Sequence, residues 1–144
     1  MRTARAFGLI LMCVGISSGA PAGPIWEGVF SADQVSRGEV TYGEFCFHCH
    51  QWNLAGNGDM IPAIGGPEFI ALINGVNLAD LFAFITEFMP LDNPRSLRPQ
   101  QVIDVLTYLL DFSGFPTGDQ ELSYNHEVLR LIQIEKEPGN VTRP

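Results

Sequence analysis

The residues with the clearest chemistry are Cys46-Phe47-His48-Cys49-His50. They spell Cys-x-x-Cys-His, the attachment pattern for a c-type haem. Two thiols separated by two residues can each add across one vinyl group of the same porphyrin, giving two thioether bonds. The histidine after the second cysteine is then held under the iron as an axial ligand. The stretch therefore predicts one haem c, covalent through Cys46 and Cys49 and ligated by His50, and a redox role.

Simpler explanations fit less well. A zinc site needs a second pair of Cys or His ligands at similar spacing. The only other cysteine is Cys13, and His48 and His126 form no pair-like spacing with the motif. A thioredoxin-type dithiol expects a βαβ setting, which the residues after His50 do not show. A Cys46–Cys49 disulfide would leave His50 unexplained.

An electron-transfer haem takes a second ligand opposite His50, and thioether sulfur raises the potential by favouring ferrous iron. After the motif the methionines are Met60 and Met89. Met60 falls within the loop expected to cover the proximal side. Met89 lies 39 residues past His50, at a helix end followed by proline, on a separate element that can reach the far face. Met89 is the preferred ligand, and the alternative role for any methionine is core filling. His48, between the two cysteines, is expected to face solvent, and His126 lies in a polar surface run. The other ring nitrogen of His50 needs a partner, commonly a backbone carbonyl. The candidate is the carbonyl of Pro62.

The elements that must position these groups read as helices. Residues 23–30 look like an extended lead-in. Ser31 caps a helix over 32–45, with Val35, Gly38, Tyr42 and Phe45 on one face. Gly38 costs that helix about 1 kcal/mol relative to alanine, which close approach of another helix would explain. Residues 51–67, rich in Gly and Pro but apolar in places, predict an irregular loop packed on the porphyrin. A short helix over 68–73 ends at Asn74-Gly75. Asn77 caps a helix over 78–88, with Leu78, Leu81, Phe82, Ile85 and Phe88 apolar, and Met89-Pro90 stops it. The last long helix runs from Pro99 to about Phe112, with Val102, Val105, Leu106, Leu109 and Leu110 inward and Tyr108 beside them. Gly114 ends it. In the tail, Val128 to Ile134 suggests a short helix or strand folded back on the body, and the end from Pro138 reads as loose. No strand pattern is strong enough to predict a sheet, so the fold class is all-α.

The 144-residue chain fits one domain behind a leader. Arg2 and Arg5, an apolar run to Ile16, and small residues to Ala22 have the order of a secretory signal peptide over 1–22. The apolar run is shorter than the ~20 residues a span requires, and no later segment is long and apolar enough to cross a membrane. The mature domain would cover 23–144, with a core over 31–113 and a tail over 114–144. In bacteria, haem c is attached outside the inner membrane, so the expected compartment is the periplasm. Loss of Arg2 and Arg5 from the 8 basic residues leaves six against 16 acidic ones, a net charge of −10 with histidines neutral. Phosphate would repel such a chain, which argues against nucleic acid. A basic patch on a redox partner would attract it, and maintaining solubility is the alternative role of the charge.

With these residues placed, the sequence resembles the class I c-type cytochromes over about residues 31–113. The match consists of Gly38 and Tyr42, the Cys46-x-x-Cys49-His50 motif, Pro62, Met89-Pro90, and the closing helix with Tyr108. The resemblance implies the cytochrome c fold, small helices wrapped round one haem, with the first and last helices crossing where Gly38 meets Tyr108. A narrower resemblance adds Trp26-x-Gly28-x-Phe30, Arg37-Gly38, Leu81-Phe82-x-Phe84-Ile85, and Gly114-Phe115-Pro116-x-Gly118 with Glu121-Leu122. It is to small monohaem cytochromes that occur with pyrroloquinoline-quinone dehydrogenases for alcohols and sugars. It implies a dehydrogenase as electron donor and an oxidase or another cytochrome as acceptor. One departure is Gln51, which stands after His50 where that group usually has glycine.

The function so expected is a periplasmic electron carrier rather than an enzyme. An open-iron haem enzyme or gas-binding protein is the alternative if Met89 is not a ligand. A third reading is a structural subunit that anchors a dehydrogenase through its tail.

Overall fold

The structure, a computed structural model, describes residues 24–58 and 60–137. The leader expected over 1–22 and the loose end expected from Pro138 lie outside these residues. The described residues are all-α with no strand, and isolated bridges pair Ser31 with Gly118 and Asn77 with Gln133.

The first helix, α1 (Ala32–Phe45), starts where its sequence says it should. The Ser31 hydroxyl accepts from the Gln34 amide at 3.2 Å, and the Gln34 side chain accepts from the Ser31 amide at 3.5 Å, a reciprocal capping box. The segment before it is not an extended lead-in. Residues Ile25–Glu27 form a turn of 3₁₀-helix closed by Gly28 in the left-handed region, which buries Ile25. The tail explains this, because Phe115 packs on Trp26 with ring centroids 4.5 Å apart and Gly118 donates to the Phe30 carbonyl.

A one-turn helix, α2 (Phe47–His50), follows α1 directly, and α3 (Gly66–Ile73) comes after the irregular loop. Asn77 caps α4 (Leu78–Phe88) by accepting from Asp80 at 2.9 Å. Pro99 opens α5 (Pro99–Phe112), whose residues Val102 to Thr107 are all buried. A helix buried nearly all round is central to its domain.

The principal helix contact is α1 against α5. A Cβ on Gly38 would fall 2.0 Å from the Asp104 carbonyl oxygen and 2.8 Å from the Tyr108 Cβ. Only a residue without a side chain lets the backbones approach so closely, which accounts for a glycine inside α1. Beside this contact Arg37 grips the buried Asp104 with two hydrogen bonds, at 3.0 and 3.1 Å, and Gln100 donates to the same carboxylate at 2.8 Å. Two residues assigned inward by periodicity stand apart. Phe45 and Phe88 lie at helix ends and are exposed, while the buried polar Gln34 and Thr41 share the inner face of α1.

The tail is bound to the body along most of its described length. Leu122 donates to Gln34 Oε1 at 2.6 Å and accepts from its Nε2 at 2.9 Å. The short α6 (His126–Arg130) packs on α4. Beyond it, Gly75 and Leu78 donate to the carbonyls of Ile134 and Ile132, and Ile134 donates to Val76. Of the helix or strand expected of this segment, the helix is present, and the residues after it pair with the body through backbone hydrogen bonds and one isolated bridge without forming a strand. No helix among the described residues is long and apolar enough to cross a membrane.

Candidate cofactor-attachment site

Cys46 ends α1 and begins α2. Its amide donates to Tyr42 at 2.9 Å, while its carbonyl accepts from Cys49 at 3.2 Å and His50 at 3.0 Å. Residues three and four apart in a helical turn are neighbours on one face. Local folding alone therefore brings Cys46, Cys49 and His50 together. Both thiols are free. Burial, reinforced by Cys49, pushes the Cys46 thiol up to about 11, while Cys49 is exposed.

His50 is half-buried, and Nδ1 lies 3.3 Å from the Pro62 carbonyl. That contact requires the proton to be on Nδ1, which leaves the Nε2 lone pair for a metal. Burial lowers the His50 pKa, and the Pro62 bond opposes part of that shift. Neutral imidazole is the ligating form.

The loop after the motif carries this partner into place. The Gly56 amide donates to the His50 carbonyl at 3.2 Å, Asn57 donates to Ile61 at 2.8 Å, and Ile64 donates to the fully buried Leu54 at 2.9 Å. Gly56 has φ +68°, and a Cβ there would lie 2.0 Å from the Ile61 oxygen and 2.6 Å from that of Pro62. It ties His50 to the strand of loop bearing its hydrogen-bond partner. Beneath the loop the Tyr42 hydroxyl donates to the Gln51 carbonyl. On the outer side Phe47 stacks on Trp52, with ring centroids 4.7 Å apart and planes at 20°.

Met89 is half-buried at the end of α4, packed on the core, with its amide donating to Ile85 at 3.0 Å. Met60, by contrast, is 91% exposed. His48 is exposed and lies against Phe47. His126 is exposed near Glu127.

Cys46, Cys49 and His50 share one helical turn, and the Pro62 contact leaves Nε2 of His50 free. Two thiols and an imidazole in that order are the donor types that a covalently attached haem would use. Among the described residues, no three His, Cys, Asp or Glu side chains gather as a site for a single metal ion. The loop contacts of Gly56 and Tyr42 escaped the sequence reading. Gly-richness signalled the first of these, and nothing in the residue pattern signalled the second.

In comparisons with family models, curated proteins and solved structures, nothing matches this chain.

Proposed function

We propose that this chain is an exported class I c-type cytochrome carrying one haem c, a one-electron carrier between a dehydrogenase and a respiratory acceptor. The reading rests on one observation above all. Cys46, Cys49 and His50 occupy a single helical turn, with the other nitrogen of His50 against the Pro62 carbonyl. When bound, the haem supplies a one-electron ferric–ferrous couple.

The chain's own residues do the rest. Cys46 and Cys49 hold the porphyrin through their sulfurs. His50 offers Nε2 to the iron, and the Pro62 carbonyl fixes its tautomer and raises its basicity. Met89 is the proposed sixth ligand, where thioether favours the ferrous state. Apolar side chains of the loop and of α4 would exclude water from the bound group, and a dry setting would disfavour the more charged ferric centre. The donor class proposed is a quinoprotein alcohol or sugar dehydrogenase, as the narrower sequence resemblance implies. The tail bears on the anchoring alternative. Its segment over 115–135 makes contacts with this chain's own body, while Tyr124 and Leu131 stay exposed, so a truncation at Gly118 that keeps partner binding would remove the anchoring role.

The test is production in a bacterial periplasm alongside haem-attachment machinery. Haem should stay with the chain through denaturing electrophoresis, and Cys49→Ala should leave one thioether. The ferric protein should show the charge-transfer band of methionine-bound iron, and Met89→Ala should abolish it. Carbon monoxide binding to the wild-type ferrous form would overturn the carrier reading in favour of an open iron site.

A further inference from the structure

Gln51, the residue directly after His50, has φ 61° and ψ 165°. That region is essentially glycine's alone, and other residues stay there only when their surroundings hold them. Three hydrogen bonds do so here. The Gln51 amide donates to Phe47 at 2.7 Å, and its carbonyl accepts from Leu54 at 3.2 Å and from the Tyr42 hydroxyl. The first two arise within the turn and loop themselves. The third is a side chain reaching from the core. Tyr42 is fully buried, and its ring is set between Tyr108 at 5.2 Å and Trp52 at 6.1 Å. It is a fixed donor on a rigid helix.

The peptide that Tyr42 holds bears directly on the histidine. The His50 amide is tied to Cys46, its carbonyl to Gly56, and its ring to Pro62. Relaxation of Gln51 to negative φ would rotate the adjoining peptide and pull the His50 carbonyl off Gly56. The Gly56–Pro62 stretch would lose its hold on the ring. We infer that Tyr42 is a positioning residue for His50, acting through the Gln51 carbonyl to keep a strained turn in the one conformation that presents the imidazole correctly. This rests on the proposed haem reading, in which His50 is the iron ligand.

The experiment uses the holoprotein and the variants Tyr42→Phe, Gln51→Gly and both together. Tyr42→Phe keeps the ring in the core, and Leu54 still satisfies the Gln51 carbonyl, so the variant is expected to fold. Amide exchange at Gln51 and Gly56 should become about tenfold faster, the scale of one lost hydrogen bond. The reduction potential should rise, because a looser Nδ1–H···O bond makes the imidazole a weaker donor to ferric iron. Adding Gln51→Gly removes the strain that Tyr42 opposes, and should return both readouts to wild-type values. The inference is overturned if Tyr42→Phe leaves exchange and potential unchanged. It is equally overturned if the double variant is no better than Tyr42→Phe, since Tyr42 would then be core packing alone. A wild-type chain isolated without thioether-bound haem would instead remove the haem reading, and this inference with it. Spectroscopy of the wild type thus separates the two failures.

Discussion

Gly56 is the residue on which the site's geometry is most sharply exposed to test. It sits at positive φ, within hydrogen-bond reach of His50, against the backbone oxygens of Ile61 and Pro62. Gly56→Ala adds a methyl where two carbonyls already stand and imposes a left-handed conformation on an L residue. The two effects together should cost about 2–4 kcal/mol. Urea unfolding of the holoprotein measures it. Because Pro62 must move, the His50 hydrogen bond weakens, and in the proposed haem-bound form the reduction potential should rise; an unchanged potential would separate Gly56 from the environment of His50. The cysteines and His50 were legible as residues, since side-chain chemistry and chain spacing single them out, and the Pro62 carbonyl expected beside the His50 ring lies 3.3 Å from it. Gly56 and the Tyr42–Gln51 bond were not. A glycine-rich loop shows that the backbone has unusual freedom, but which glycine meets which carbonyl depends on the path of the whole loop. Tyr42 was legible only as an inward residue of α1, because the target of its hydroxyl is a backbone atom with no signature in the sequence.

At the scale of elements, caps were the most readable features. Ser31, Asn77 and Pro99 each act through their own side chain or ring on a neighbouring turn, and the helices begin where they say. The extended lead-in failed because the turn at Ile25–Glu27 is made by packing against Phe115, far along the chain. Periodicity also misplaced Phe45 and Phe88, which sit in last turns where fewer neighbours close over them. The Gly38 crossing was legible as a cost awaiting a reason, and the reason is the Asp104 backbone. Gly38→Ala should therefore destabilise by about 3 kcal/mol or more, beyond the usual range for simple overpacking, since the clash is with helix backbone that cannot swing aside. No loss, or a gain of up to the ~1 kcal/mol by which alanine exceeds glycine in helix propensity, would show that the helices can separate freely. The neighbouring ion pair makes a different prediction. Arg37→Met leaves Asp104, only 4% exposed, with Gln100 as its remaining side-chain partner. Removing one partner of a fully buried pair costs about 3–5 kcal/mol. Arg37 is half open to solvent, so about 1–3 kcal/mol is expected. Asp104→Asn in the Arg37→Met background should recover part of it by removing the stranded charge.

The whole molecule is a core of α1 and α5 with its tail wrapped back over α4 and the N-terminal turn, and its charge is distributed unevenly between pairing and surface. Of the basic residues, Arg37 is taken up by Asp104 and Glu121, Arg95 by Glu87 and Arg130 by Glu127. Three of the five cations among the described residues are thus paired within the chain, and exposed carboxylates such as Asp33, Glu44, Glu68 and Asp119 set the outer field. A chain with 16 acidic and 8 basic residues, arranged so, presents negative potential to any partner. If it passes electrons to and from other proteins, partners with basic surfaces should be steered to it. At 0.15 M ionic strength the screening length is about 8 Å, and at 1 M about 3 Å. The second-order rate constant for reduction by the partner dehydrogenase should therefore fall steeply over that range, on the order of tenfold or more, as expected when steering rather than contact limits encounter. Stopped-flow measurement across a salt series checks it. The intramolecular electron-transfer rate within the formed complex should stay constant, because salt acts on encounter and not on a buried couple. A second-order constant that is flat or rising with salt would mean that apolar contact drives docking. The exposed Phe84 and Phe88, whose rings pair at 5.2 Å on the outer face of α4, would then be the surface to mutate first.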